Sequence, residues 1–252
     1  MFSEAGSYDR FMGRYSGPLA PVFAEFAGVE AGQRVLDVGC GPGALVGALV
    51  ERLGQRSVNA VDPSSAFVDA VRARYPGVET EVAPAERLPF ASGSFDAALA
   101  QLVVHFMTDP VAGLRELRRV TRPGGVVAAC VWDCAGGGGP LSRFWDAARE
   151  LDPDVEDESG RAGARAGHLG ELFAAAGLQD VEEAALTVEV EHASFEEWWE
   201  PFTLGVGPAG AYVAGLTAAR RDELRSRCER SFARHGPVVA AAAWAARARP
   251  VN

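Results

Sequence analysis

Apolar positions along this chain follow two rhythms in turn, the short continuous or alternating runs of strands and the three-to-four-residue recurrence of helices, from residue 33 to about residue 131. Strand-type runs fall at residues 34–38, 57–61, 78–82, 95–100 and 126–131. Between the first two, Leu45, Val46, Leu49, Val50 and Leu53 recur at helical spacing. Phe67, Val68 and Val71 repeat the pattern in the second connection, and Leu114 and Leu117 in the fourth. The third connection, 83–94, carries only a weak helical signal. Strands joined by helices predict βαβ units, right-handed crossovers and a parallel sheet. Pro123-Gly124-Gly125 predicts a break before the fifth strand.

Past residue 135 the pattern changes. The four glycines at 136–139 are entropically costly to order and predict a hinge or mobile loop. A helical run at 141–151 and an acidic, polar stretch at 152–167 read together as an insertion over the sheet. Residues 168–176 read as a helix stopped by Gly177, 187–190 as a strand, 195–202 as an aromatic-rich helix, 220–234 as a helix and 238–246 as a final strand. The first thirty or so residues are expected to fold back over the strand ends. The resulting division is one domain over 1–252: an N-terminal cap (1–30), a core (31–135), an insertion or lid (136–167), and a C-terminal part (168–252) with a substrate-capping segment near 195–216.

Composition narrows the class. A chain of 252 residues with 48% hydrophobic and 23% charged residues can bury a sizeable core, and it has no apolar run long enough to span a bilayer. The N-terminus lacks the basic-then-apolar order of a secretory signal. Cys40, Cys130, Cys134 and Cys228 form no metal-type spacing or disulfide framework, so the expectation is a cytoplasmic protein without a metal site. Net charge is −10. Arg118, Arg119 and Arg122 suit a helix end, and Arg220, Arg221, Arg225, Arg227 and Arg230 are interleaved with acids, so no basic stripe points to nucleic acid. A small-molecule partner is expected, with a homodimer left open.

The chemistry concentrates in the turn Gly39-Cys40-Gly41-Pro42-Gly43, between an apolar strand and an amphipathic helix. Such a turn lets backbone approach a ligand and exposes the N–H groups of a helix start. Gly39, Gly41 and Ala44 also satisfy the dinucleotide fingerprint, so the turn alone does not choose a cofactor. Asp37, two residues earlier, opposes a pyrophosphate and suits an ammonium group; its structural alternative is to cap nearby backbone donors. Asp62 closes the second strand, where a carboxylate can accept ribose hydroxyls. Its alternative role is capping the helix that begins at Pro63-Ser64-Ser65.

VLDVGCGPG, VDPS, AERLPFASGSFD and RVTRPGG, in that order, resemble the successive motifs of class I S-adenosylmethionine-dependent methyltransferases. Within that superfamily the chain is similar to the branch related to ubiquinone/menaquinone-biosynthesis methyltransferases, over about residues 8–135. The resemblance implies an α/β, Rossmann-like doubly wound, mostly parallel sheet with an antiparallel final strand. It also implies S-adenosyl-L-methionine as cofactor, with Asp37, Gly39 and Gly41 at its methionine part and Asp62 at its ribose. Pro63, Ala85 and Glu86 would flank the adenine, and Gln101 would line the methionine pocket. The chain departs from the family in having Pro84 where an acidic residue often precedes the Ala-Glu pair. Residues 8–15 resemble a capping helix from which Arg14, Tyr15 or Tyr8 could reach the cofactor carboxylate; the structural alternative is that Phe11 and Tyr15 simply pack on the sheet.

Methyl transfer to a small-molecule oxygen, carbon or nitrogen nucleophile needs alignment and exclusion of water, and for some acceptors a general base. His105, after the fourth strand, and Asp133, after the fifth, are the candidates. Trp132, Phe144, Trp145, Trp198, Trp199 and Phe202 could line an apolar acceptor pocket. The competing readings are an NAD(P)-dependent oxidoreductase and a protein that binds S-adenosylmethionine without transferring methyl.

Overall fold

The computed structural model describes residues 9–250, with side chains from Phe11 onward; Tyr8 lies outside the described residues. Seven strands form one sheet: β1 (Val35–Val38), β2 (Val58–Asp62), β3 (Glu79–Val82), β4 (Phe95–Gln101), β5 (Thr121–Trp132), β6 (Glu182–Glu191) and β7 (Val238–Ala248). Their order is β3-β2-β1-β4-β5-β7-β6, with β7 antiparallel to both its neighbours and the first five parallel. Chain order reverses between β1 and β4, and such a reversal opens a crevice at the carboxyl ends of the strands.

Residues of β1 and β2 are buried throughout, which requires cover on both faces and explains their near-continuous apolar runs. Leu36, Val38, Ala98 and Val127 pack on one side with Leu114 and Leu117 of α4 (Pro110–Val120) and Phe173 of α6 (His168–Ala175). Val35, Leu99 and Ala128 face the other side, with Leu19 and Phe23 of α1 (Arg14–Ala27) and Leu45 and Leu49 of α2 (Ala44–Leu53). Each fully buried side chain of this size contributes roughly 1.5–3 kcal/mol. The α3 helix (Ser65–Arg74) completes the β2–β3 crossover. The third connection contains no helix. It is tied down instead by Arg119, whose guanidinium donates to the carbonyls of Leu88 and Phe90.

Several expectations are corrected. The Pro-Gly-Gly sequence lies inside β5: Thr121 already pairs with Phe95, residues 122–125 bulge out, and pairing resumes at Val126 opposite Ala97. Gly124, at φ +75°, donates its N–H to Pro250 O within that bulge. The 136–139 glycines are not a free hinge. Gly136 N donates to Asp133 Oδ1 at 2.8 Å, Gly139 N to Asp133 O at 2.8 Å, and Gly138 O accepts from Ala242 N at 2.7 Å. A Cβ on Gly136 or Gly138 would come within 2.5 or 2.8 Å of the Asp133 carboxylate, so close packing, not mobility, calls for glycine here. The α1 helix lies along a sheet face, against α2 and β6, and not merely over strand ends.

Beyond the core, α5 (Ser142–Leu151) and the segment made of α7 (Phe195–Trp199), a 3-10 turn (Glu200–Leu204) and α8 (Gly207–Gly215) pack on each other. The α8 helix carries no sequence signal, because its small, uniformly apolar run has no helical periodicity. The long, charged α9 (Ala218–His235) packs on α5. Phe144, fully buried, stacks on Phe202 with ring centroids 4.4 Å apart. Phe144→Ala should therefore cost about 3–5 kcal/mol in urea unfolding, as large aromatic truncations in cores do. A loss under about 1 kcal/mol would show that this pair is not part of the folded core.

Candidate functional site

The turn after β1 hooks over β2, because Gly39 N and Cys40 N both donate to Val61 O, at 2.8 and 2.9 Å. Gly39 sits at φ +72°, and a Cβ there would lie 2.3 Å from Val103 Cγ2, so both conformation and space demand glycine. Gly43, at φ +100°, ends the turn and starts α2. Asp62 braces the turn from β2: its Oδ2 accepts from Gly41 N at 2.9 Å and its Oδ1 from Ser64 N at 2.8 Å. Asp62 does not cap the following helix, whose N-cap is Ser64; it braces the turn ahead of it, and each carboxylate oxygen keeps a lone pair for a ligand.

Asp37 is 1% exposed, and neither carboxylate oxygen has a hydrogen-bond partner. Burial pushes its pKa up to about 8, and the neighbouring Asp62 adds to the rise. The Val46 amide at the start of α2 offsets part of this without reaching hydrogen-bond geometry. Gln101 donates from Nε2 to Ser16 O at 3.1 Å, and its Oε1 is likewise buried without a partner. Asp37, Gly39, Gly41, Asp62, Gln101 and Ser16 share a cavity of about 120 Å³. Orphaned acceptors around a glycine cradle fit the ammonium-bearing end of an amino-acid cofactor.

A second cavity, of about 270 Å³, adjoins the first, and Leu102 and Phe106 line both. Leu102 has φ +60°, an uncommon conformation for a branched side chain, held by its N–H donating to Cys130 O at 2.8 Å. His105, on a short 3-10 turn (Val104–Phe106), lines the larger cavity. Burial lowers its pKa to about 3, with a further push from Arg161, so the imidazole is uncharged at neutral pH. The near-neutral titration expected of an isolated histidine is lost. Trp132 and Trp145 line this cavity, whereas Phe144, Trp198, Trp199 and Phe202 are core residues outside it.

Other expected residues lie elsewhere. Asp133 lines neither cavity and spends its carboxylate on the glycine loop. Glu86 Oε1 accepts from Thr108 N at 2.7 Å and Asp109 N at 3.2 Å, bracing the loop ahead of α4; Pro63 is exposed, and neither it nor Ala85 lines either cavity. Arg14 and Tyr15 are turned to His192, just past β6. Arg14 Nη1 donates to Nδ1 at 2.8 Å and Nη2 to Glu197 at 3.2 Å, while Tyr15 Oη lies 2.9 Å from Nε2. An arginine can only donate, so Nδ1 is the acceptor and Nε2–H donates to Tyr15. Sequence reasoning missed Ser16, Phe106, Glu158 and Arg161. Phe106, next to His105, carried a positional signal; the others, placed by helix α1 and the insertion, carried none.

A sheet of this order, with a glycine turn after its first strand and a cavity at the switch point, has the class I methyltransferase fold. Residues 36–129 match the family described as methyltransferase domain. An uncharacterized methyltransferase of Mycobacterium tuberculosis is 38% identical over 131 residues, 52% of this chain and 51% of the relative. The chain thus spans about half the length of that relative. Among solved structures, a Bacillus halodurans protein assigned as a methyltransferase superposes with TM-score 0.60 at 18% identity, covering 92% of this chain and 99% of that one. A Haemonchus contortus phosphoethanolamine N-methyltransferase, solved with S-adenosylhomocysteine, superposes with TM-score 0.57 at 17% identity, over 100% of this chain and 61% of that one. Among the described residues no helix is long and apolar enough to cross a membrane, and no group of His, Cys, Asp and Glu side chains could hold a metal ion.

Two pH effects follow. A carboxyl whose folded pKa is raised from 3.8 to about 8 adds stability that is complete below 3.8 and lost as pH rises through 8. Across that window the ligand-free protein should lose stability relative to Asp37→Asn, measured by thermal unfolding; a pH-independent difference would show that Asp37 is not desolvated. His192 behaves in the opposite sense, its pKa lowered from 6.5 to about 4 by burial and then by Arg14, with Arg143 adding to and Glu197 opposing the shift. Its contribution is complete above 6.5 and lost as pH falls through 4, so His192→Gln should flatten the acid limb of the stability curve over that interval. An unchanged limb would remove His192 as its source.

Proposed function

We propose that the chain is an S-adenosyl-L-methionine-dependent methyltransferase acting on a small molecule, with the cofactor's methionine end in the smaller cavity and the acceptor in the larger. The carrying observation is Asp37, a fully buried carboxylate without a partner at the end of β1, beside the glycine turn. The cofactor's ammonium group is the charge that would favour ionised Asp37, whereas a pyrophosphate would be repelled by Asp62 and would hold Asp37 protonated. That disfavours the nicotinamide alternative. The Haemonchus enzyme's ligand supports the same cofactor.

When bound, the cofactor supplies an electrophilic methyl group on a sulfonium centre. The chain's part is then to bind, orient and dry the site. Gly39 and Gly41 allow close approach, Asp37 and Gln101 Oε1 offer acceptors to the amino-acid end, and Asp62 keeps lone pairs for the ribose hydroxyls. Leu102 and Phe106 stand where the two cavities meet, so the reacting groups would be aligned across them with apolar walls excluding water. His105, uncharged, serves there as a hydrogen-bonding group and holds a proton poorly.

Calorimetry with S-adenosylhomocysteine and with NAD tests the proposal. S-adenosylhomocysteine should bind and NAD should not; NAD binding alone would defeat the reading. Asp62→Ala, with its fold checked by circular dichroism, should weaken S-adenosylhomocysteine by about tenfold or more, the scale of lost hydrogen bonds to a charged acceptor. Unchanged affinity would remove Asp62 from the ribose site.

A further inference from the structure

The larger cavity is lined mainly by apolar side chains, with a polar cluster beside Phe106. Phe11, Met12, Leu141, Val206 and Pro208 contribute apolar wall. Two polar side chains stand at Phe106, whose ring is 4.0 Å from that of His105 and carries the Arg161 guanidinium 5.5 Å above its centroid. Glu158 Oε1 lies 3.9 Å from Arg161 Nε. Phe106 is also where this cavity meets the smaller one. A well-matched occupant therefore turns one polar group toward the smaller cavity and apolar surface to the remaining wall.

The charges select that polar group. Asp157 is taken up by Arg149 at 2.8 Å and by Ser159 N at 2.8 Å. Glu158 is different: its side chain is only 12% exposed, and its contact with Arg161 is long for an ion pair. Burial pushes its pKa up, against the pull of Arg161 and the nearby Trp145 indole. An anionic ligand would meet this desolvated carboxylate, a cationic one would meet Arg161, and the pair as a whole is neutral. His105, uncharged and with Nδ1 buried without a partner, adds no charge either. A hydroxyl both donates and accepts, and it suits all three neighbours. A volume of about 270 Å³ lies at the small end of ligand pockets, which suits one or two rings.

We propose that this cavity binds an uncharged, largely apolar ring compound through one hydroxyl group, which donates its hydrogen to the Glu158 carboxylate. That the compound is the methyl acceptor rests on the cofactor reading above; the binding preference itself does not.

Equilibrium dialysis of the whole chain against 4-propylphenol, propylbenzene and 4-propylbenzoate tests it, with S-adenosylhomocysteine calorimetry run alongside. The phenol should bind about tenfold more tightly than either other probe, the scale of one hydrogen bond to a charged acceptor. Glu158→Gln should remove most of that preference while leaving propylbenzene binding and S-adenosylhomocysteine affinity unchanged, which also reports that the variant is folded. Equal binding of phenol and propylbenzene, tightest binding of the benzoate, or a preference that survives Glu158→Gln would overturn the proposal. Loss of S-adenosylhomocysteine binding by the wild-type chain, with the phenol preference intact, would overturn the cofactor reading and uphold this one.

Discussion

The arrangement at the centre of this molecule depends on a carboxylate held where a carboxylate is costly. Asp37 stands in a strand whose neighbours Leu36 and Val38 are fully buried, and no donor satisfies its oxygens. Desolvation penalises its charge, and Asp62 across the adjoining strand adds to the penalty. The scaffold tolerates this because the parallel strands and the helices on both faces bury enough apolar surface to fix the backbone around it. The glycine turn keeps the space open, since any side chain at Gly39 would collide with Val103. A carboxyl that burial keeps largely protonated is a cost to the empty fold once it ionises, and under the proposed reading a bound cation would offset that cost.

The second cavity depends on the first through Leu102 and Phe106. Leu102 is held at φ +60° at the end of β4, so the chain changes direction there and directs His105 and Phe106 to the edge of the crevice. Further wall comes from residues between 139 and 164 and from 206–208, two stretches that Phe144 and Phe202 tie together by stacking. The N-terminal helix closes the same side, pinned to β6 and α7 through the Arg14, Tyr15, His192 and Glu197 contacts. Three segments distant in sequence thus frame one chamber beside the glycine turn.

What was legible in the sequence was what local rules govern. The alternation of periods revealed the five parallel strands, and the glycine turn with Asp37 and Asp62 marked the smaller cavity. Bounds shifted where local chemistry was ambiguous: Pro123-Gly124-Gly125 reads as a terminator yet forms a bulge, because Thr121 still pairs with Phe95. The remainder depended on long-range contacts. The glycine run looks mobile until Asp133 is seen between its amides. Arg14 and Tyr15 sit on the expected helix, but a histidine more than 170 residues away takes their polar groups. Glu158 lies in a stretch whose acidity reads only as an insertion over the sheet, and nothing in it marks the place beside Arg161 in a largely apolar cavity that Glu158 takes in the fold.

The central claim is that Asp37 is a desolvated, unpaired carboxyl awaiting a cation, and its ionisation can be followed directly. Carbon-13 NMR of the Asp37 carboxyl, assigned by comparison with Asp37→Asn, would give its titration in the free protein and with S-adenosylhomocysteine bound. The account predicts a midpoint near 8 in the free protein, moved well down when the ligand's ammonium group is in place. A midpoint in the ordinary aspartate range of about 3.5–4 in the free protein, unmoved by the ligand, would contradict it.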